Sequence, residues 1–143
     1  LLLCLVSGCA DPTNDLRNAK ASADRFELIA DACPPTTVSA QHISIAELTS
    51  NPSRYDGRVV SVSGYYSFYF EHSAVYSTQE TKIDKHSFSD GIWIAGVPIA
   101  SKHLDGQFLK FVGTFSSKKS GHFNQWPGAI CVTSIEDVSP DAA

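Results

Sequence analysis

The sequence predicts an all-β domain with a minor α component, and three observations carry the prediction. Two long stretches pass from turn residues into a period-two alternation. Three shorter apolar runs are bounded by polar, Gly or Pro residues. The clearest helix signal is one short capping box. Together they give five strands, one short helix and a further one or two helical turns between the third and fourth strands.

The first strand pattern is the longest. From Arg58 onward Val60, Val62, Gly64, Tyr66, Phe68 and Phe70 share one face, while Ser61, Ser63, Tyr65, Ser67, Tyr69 and Glu71 share the other. One face reads as buried and the other as half wet. The stretch YDGRVVSVSGYYS (55–67) aligns without a gap on LDGQFLKFVGTFS (104–116), an offset of 105 − 56 = 49 residues. Two copies are too few for a solenoid. Both read as one device: an Asp-Gly turn feeds a long strand, and a mid-strand glycine (Gly64, Gly113) permits a bend or bulge. The shorter strands are predicted at 74–77, 91–95 and 129–133, and helical turns at 98–104. Upstream, Ser44 is placed to cap a helix starting at Ile45, with Glu47 reaching back and Ile43 stapling onto Leu48; Asn51-Pro52 closes it.

Two long bent strands, three shorter ones and a helical segment after the third resemble the OB-fold, a five-stranded partly open barrel. The phrase NPSRYDGRVVSVSGY is similar to the opening of small bacterial OB-like domains, often lipoproteins. A two-sheet sandwich is the competing fold. The resemblance covers about residues 43–136.

Ahead of that domain, Leu1 to Cys9 is nearly all apolar and far too short to span a bilayer. An apolar run that ends in small residues is how a secretory signal closes; with no initiator Met or basic n-region before it, a few leading residues are expected to be missing. Val6-Ser7-Gly8-Cys9 resembles the lipobox of bacterial lipoproteins. That resemblance implies cleavage before Cys9, a diacylglycerol on its thiol and a third acyl chain on its amino group, which would hold the protein on a membrane. By resemblance to the sorting rules of lipoproteins in Gram-negative bacteria, Ala10 rather than Asp after the cysteine implies the outer rather than the inner membrane, facing the periplasm, with Asp11 one place later pointing the other way. The expected organisation is a signal remnant at 1–8, a lipidated tether and weak helix at 9–42, the barrel at 43–136 and a tail at 137–143. The weak helix is a stripe of Leu16, Ala19, Ala23, Phe26, Ala30 and Cys33, ended by Pro34-Pro35.

With Cys4 in the signal and Cys9 acylated, Cys33 and Cys131 remain as free candidates, able to pair in an oxidising compartment. The net charge of −4 and pI near 5.6 argue against a nucleic-acid binder, which usually presents a basic face. The histidines at 42, 72, 86, 103 and 122 show no metal-ligand spacing, and no nucleophile elbow, phosphate loop or paired carboxylates occur. No catalytic residue, cofactor or metal is therefore expected. Binding is the better reading. In OB-folds a ligand meets the second and third strands and the loops joining strands one to two and four to five. Here these positions include Tyr76, Trp93, Lys118, Lys119, His122, Phe123 and Trp126, whose aromatic and polar mixture suits peptide, glycan or single-strand contacts. Trp93 between two isoleucines also reads as core, Phe123 and Trp126 as a plug of the barrel end, and Lys118-Lys119 as a solvated loop tip. The function expected is a membrane-anchored extracytoplasmic lipoprotein that binds a protein or envelope component. The alternatives are an enzyme or accessory subunit acting on envelope polymers, and a structural spacer in an envelope complex.

Overall fold

The computed structural model describes residues 33–79, 88–97 and 99–138. The weak helix of 16–33, apart from Cys33 itself, and Cys9 with its lipobox lie outside the described residues.

The chain begins with a two-residue strand, β1 (Gln41–His42), which adds a sixth strand to the five expected, and then a short helix, α1 (Ile45–Ser50). Ser44 Oγ accepts the Glu47 N–H at 3.1 Å, and the staple residues Ile43 and Leu48 are both buried. The Glu47 carboxylate does not close the box. It accepts the Tyr55 hydroxyl at 2.8 Å and Asn51 Nδ2 at 3.3 Å, and lies 3.5 Å from Arg54. It therefore ties α1 to the following 3-10 turn Pro52–Tyr55.

Five further strands form the barrel: β2 (Val59–Tyr69), β3 (His72–Tyr76), β4 (Gly91–Ala95), β5 (Phe108–Ser116) and β6 (Ala129–Asp137). Their order is β2-β3-β4-β6-β5, closed by pairing of β5 with β2. All neighbours are antiparallel except β4 and β6. A 3-10 segment, Ile99–Leu104, stands between β4 and β5. This closed ring of hydrogen bonds, with one parallel pair and a helical element after the third barrel strand, is the OB-like barrel, all-β with minor α. A two-sheet sandwich is excluded because the ring has no second, separate sheet.

The alternation in β2 is realised. Val60, Val62 and Tyr66 point inward with Leu109, Phe111 and Phe115 of β5, Val75, Ile92, Ile94, Ile130 and Val132, and α1 caps this core with Ile45 and Leu48. Burying each such side chain stabilises the fold by about 1.5–3 kcal/mol. Phe70, assigned by the alternation to the buried face, is 86% exposed: β2 ends at Tyr69, and Phe70 sits in the turn.

The sequence echo has a geometric cause. β2 and β5 pair antiparallel with Val60 opposite Gly113 and Gly64 opposite Leu109, so the two copies are related by a local pseudo-two-fold axis. Every turn contact occurs twice. Gly57 N–H donates to Phe115 O at 2.8 Å, and Gly106 N–H to Tyr66 O at 2.9 Å. Asp56 Oδ1 accepts the Ser117 N–H at 2.8 Å, and Asp105 Oδ1 accepts the Phe68 N–H at 2.9 Å. Gly57 and Gly106 both take left-handed φ, 76° and 83°. Gly64 and Gly113 serve close approach. A Cβ on Gly64 would stand 2.4 Å from Tyr76 O, and one on Gly113 2.1 Å from Cys131 O. The ladder slips by one residue beside Gly113, which is the bulge the glycine admits.

Cys33 and Cys131 form a disulfide with Cα atoms 5.5 Å apart, closing a separation of 98 residues. It fastens the chain ahead of β1 to the outer face of β6.

Candidate ligand site

The turn between β2 and β3 and the longer connection between β5 and β6 leave from opposite ends of the antiparallel β2–β5 ladder, yet they meet. The first is Phe70-Glu71. The second, residues 117–128, runs back across the outer face of β3 and β4 as a strap. A contact of 3.1 Å between His122 Nε2 and Glu71 Oε2 joins them, an ion pair when His122 is protonated, although the ring N–H is not aligned for a hydrogen bond.

Beneath the strap is a small aromatic core separate from the main one. The outward residues of β3, His72, Ala74 and Tyr76, are all buried, together with Trp126 of the strap; Phe88 and Trp93 pack against them. Trp126 meets Phe88 at 4.7 Å, Trp93 at 4.8 Å and His72 at 5.2 Å between ring centroids. Tyr69 stacks on His72 at 4.1 Å. Burial pushes the His72 imidazole down to about 4, so the ring is neutral near pH 7, and pushes the Tyr76 phenol up to about 12. Tyr76 Oη and His72 Nε2 lie 3.4 Å apart. The Trp126 indole N–H lies near enough to Tyr76 to moderate its pKa but is not aligned to donate, and it has no hydrogen-bond partner.

The strap concentrates irregular backbone. Phe123 and Asn124 have φ of 54°, as does Glu71 across the clasp; among the described residues these are the non-glycine residues with left-handed φ. Such conformations cost about 1–3 kcal/mol each and gather at functional sites. Gly121, with φ of 73°, lies flat on the Trp93 ring, where a Cβ would come within 2.5 Å.

The seven expected contact residues are thus divided. Tyr76 and Trp126 are buried in the small core. Trp93 is half-buried between Gly121 and Trp126. His122 is held at the clasp. Phe123 is 80% exposed beside it. Lys118 and Lys119 stand at the rim of a cleft of about 730 Å³ on the outer face of β4, β5 and β6, floored by Ala95, Ala129 and Cys131. Lys118 Nζ is 3.8 Å from Asp56. A second cleft of about 830 Å³, lined by Phe68, Tyr69, Phe70, Val97 and Lys102, opens where β3 and β4 diverge. Sequence alternation places Phe70 and Glu71 on opposite faces of the first long strand; their role as the partner of the strap depends on Glu71 and His122, 51 residues apart in sequence, meeting in space. Among the described residues no group of His, Cys, Asp or Glu is placed to hold a metal ion. No described helix is long and apolar enough to cross a membrane.

No known family model and no curated protein matches the chain. A solved structure, the Stn1-Ten1 complex of S. pombe, is similar to it with a TM-score of 0.46 and 18% identity, over 75% of this chain and 84% of that one. This finding overturns the expected function: the match is to that complex and not to an envelope lipoprotein. The envelope-protein partner, the membrane partner through a lipid on Cys9 and the exclusion of nucleic acid are all withdrawn, and no comparison supports the lipoprotein, signal-peptide or membrane expectations. The physical fault in the exclusion lies in using a whole-chain sum. The net charge is −4, yet residues 116–128, SSKKSGHFNQWPG, contain no carboxylate and carry Lys118, Lys119 and His122.

Proposed function

We propose that the domain is a non-catalytic binding module that takes a single-stranded nucleic acid at the junction of its β2–β3 turn and β5–β6 strap. One observation carries the reading. Phe70 and Phe123 are 86% and 80% exposed, and each adjoins a residue of the Glu71–His122 contact, so two bare rings flank one clasp. Exposed rings with lysines on the same loop are the parts of a stacking platform with an electrostatic guide, where each stacked base contributes about 1–3 kcal/mol.

The test is fluorescence anisotropy with labelled oligothymidylate at low salt. Binding should weaken as salt rises, and Phe123→Ala, Phe70→Ala and Lys118→Ala with Lys119→Ala should each weaken it at unchanged melting temperature. A neutral oligosaccharide that binds while oligothymidylate does not would overturn the proposal.

Separately from the binding reading, we propose a location outside the cytoplasm, on the periplasmic side of a cell envelope. Its support is the Cys33–Cys131 disulfide, which needs an oxidising compartment. Two free thiols per denatured, non-reduced molecule of protein isolated from cells would reject this location.

A further inference from the structure

We infer that residues 117–127 are a displaceable strap, and that the floor beneath it, formed by His72, Tyr76, Phe88 and Trp93, is a second surface for the rings of the same strand, uncovered when Trp126 swings out. The inference rests on the binding reading above and extends it from the loop tips to the strand face.

Four observations support it. The outer face of β3 and β4 is aromatic and is covered by the protein's own Trp126.

The cover is held mainly by ring contacts. Trp126 touches Phe88, Trp93 and His72 through its ring, and its N–H, buried without a partner, regains a hydrogen bond with water on leaving. Another planar ring can make the same contacts, and a nucleobase is one.

The strap is also built as a unit. Lys118 and Lys119 N–H donate to Ser116 Oγ at the end of β5, and beyond them its hydrogen bonds are internal: Trp126 N–H to Ser120 O at 3.1 Å, Asn124 N–H to Gly121 O at 3.2 Å, and Ser120 Oγ to Asn124 Oδ1 at 3.2 Å. Its polar ties to the barrel lie at its base, where Asp56 accepts Ser117 N–H and Trp93 N–H donates to Gly128 O, and at the Glu71–His122 clasp. Finally, the two buried side-chain polar atoms without a hydrogen bond among the described residues, His122 Nε2 and Trp126 Nε1, are both on the strap, as are Phe123 and Asn124 with their left-handed backbone. The closed position is the costly one for Trp126 Nε1 and for this backbone, while His122 Nε2 keeps its contact with the Glu71 carboxylate.

The experiment compares oligothymidylate binding by the wild-type chain and by Trp126→Ala, with acrylamide quenching of Trp126 followed in a Trp93→Phe chain. If the strap competes with the ligand, Trp126→Ala folds and binds about fivefold or more tightly, and oligothymidylate raises quenching of Trp126 at least about twofold. A folded Trp126→Ala with unchanged or weaker binding overturns the inference. Should Trp126→Ala fail to fold, the quenching decides: a rise supports displacement and no change rejects it. Should wild-type chain bind no oligothymidylate, the binding reading itself fails. The strap is then judged by hydrogen exchange of the Trp126 indole N–H. Exchange by local opening far faster than that of the β2 and β5 amides supports displacement, and exchange at the rate of global unfolding rejects it.

Discussion

The two copies of the Asp-Gly device begin alike and end differently, and the difference separates what holds this barrel together from what it offers a ligand. Both copies use a left-handed glycine, an aspartate that caps the far end of the other strand, and a mid-strand glycine against a carbonyl. After Phe68 the first copy turns tightly through Phe70-Glu71 into β3. After Ser117 the second runs on through the strap before β6 begins. The symmetric part is rigid closure. The asymmetric part carries the exposed rings, the lysines and the strained backbone.

The largest expected effect tests a tie that only one copy has. Cys131 in β6 stands where Tyr76 stands in β3: each carbonyl faces the mid-strand glycine of its hairpin. Only Cys131 is cross-linked, to Cys33. Removing the bond by Cys33→Ala should lower unfolding free energy by about 4–5 kcal/mol on the chain-entropy model. Urea titrations with and without reductant measure it; a loss below about 1 kcal/mol would mean that the bond constrains little.

The glycines come next. Gly113→Ala and Gly64→Ala should each cost about 3 kcal/mol through overpacking. Gly113 should cost more. Two of its three nearest neighbours are backbone atoms of Cys131, whereas Gly64 meets one backbone atom and the side chains of Ile45 and Val75, which can shift. Equal losses would show that the bulge in β6 absorbs the added methyl.

A third difference is a buried titratable ring on the β3 side alone. His72 is held neutral, its pKa pushed down to about 4 mainly by burial. Since the unfolded chain takes up the proton near the ordinary value of 6.5, stability from this group is complete above that value and is lost as pH falls towards about 4. His72→Phe should flatten the melting-temperature profile across this window. A profile that keeps its wild-type slope would assign the pH dependence to other groups.

How much of this could be read from the sequence follows the same division. The strands, the helical segment after β4 and the echo of 55–67 in 104–116 were legible, because alternation and turn residues are local and the core demands them. The meaning of the echo was not legible, since an offset does not reveal that the copies pair antiparallel and exchange their caps. Neither was the fate of the loop aromatics. Phe123 and Trp126 are three residues apart in one irregular segment, yet one is exposed and the other buried, which depends on β3 and Phe88 lying beneath. The helical stripe leading to Cys33 and the lipobox concern residues outside those described. Net charge sums the whole chain and hides its distribution: residues 116–128 hold no carboxylate of their own, and Asp56 and Glu71 reach Lys118 and His122 from other elements.

The smallest effect is the sharpest probe of the symmetry. Asp56 and Asp105 occupy equivalent places, each accepting a backbone N–H from the end of the opposite strand. Ser117 holds the Asp56 carboxyl below its ordinary value of 3.8, first through its backbone N–H and then through its side chain, with Lys118 adding a smaller pull in the same direction. A depressed carboxylate pKa contributes stability above the unfolded value and loses it as pH falls through the folded one. Asp56→Asn should therefore lower the melting temperature slightly at pH 7 and flatten its decline below about pH 4. Asp105→Asn tests the matching cap on Phe68. If the device is only structural, both substitutions lower stability alike and leave ligand binding alone. If the base of the strap is set by Asp56, then Asp56→Asn also changes oligothymidylate binding, because Ser117 and Lys118 are released together, while Asp105→Asn does not. Identical binding by the two variants would show that the strap is held from its clasp and not from its base.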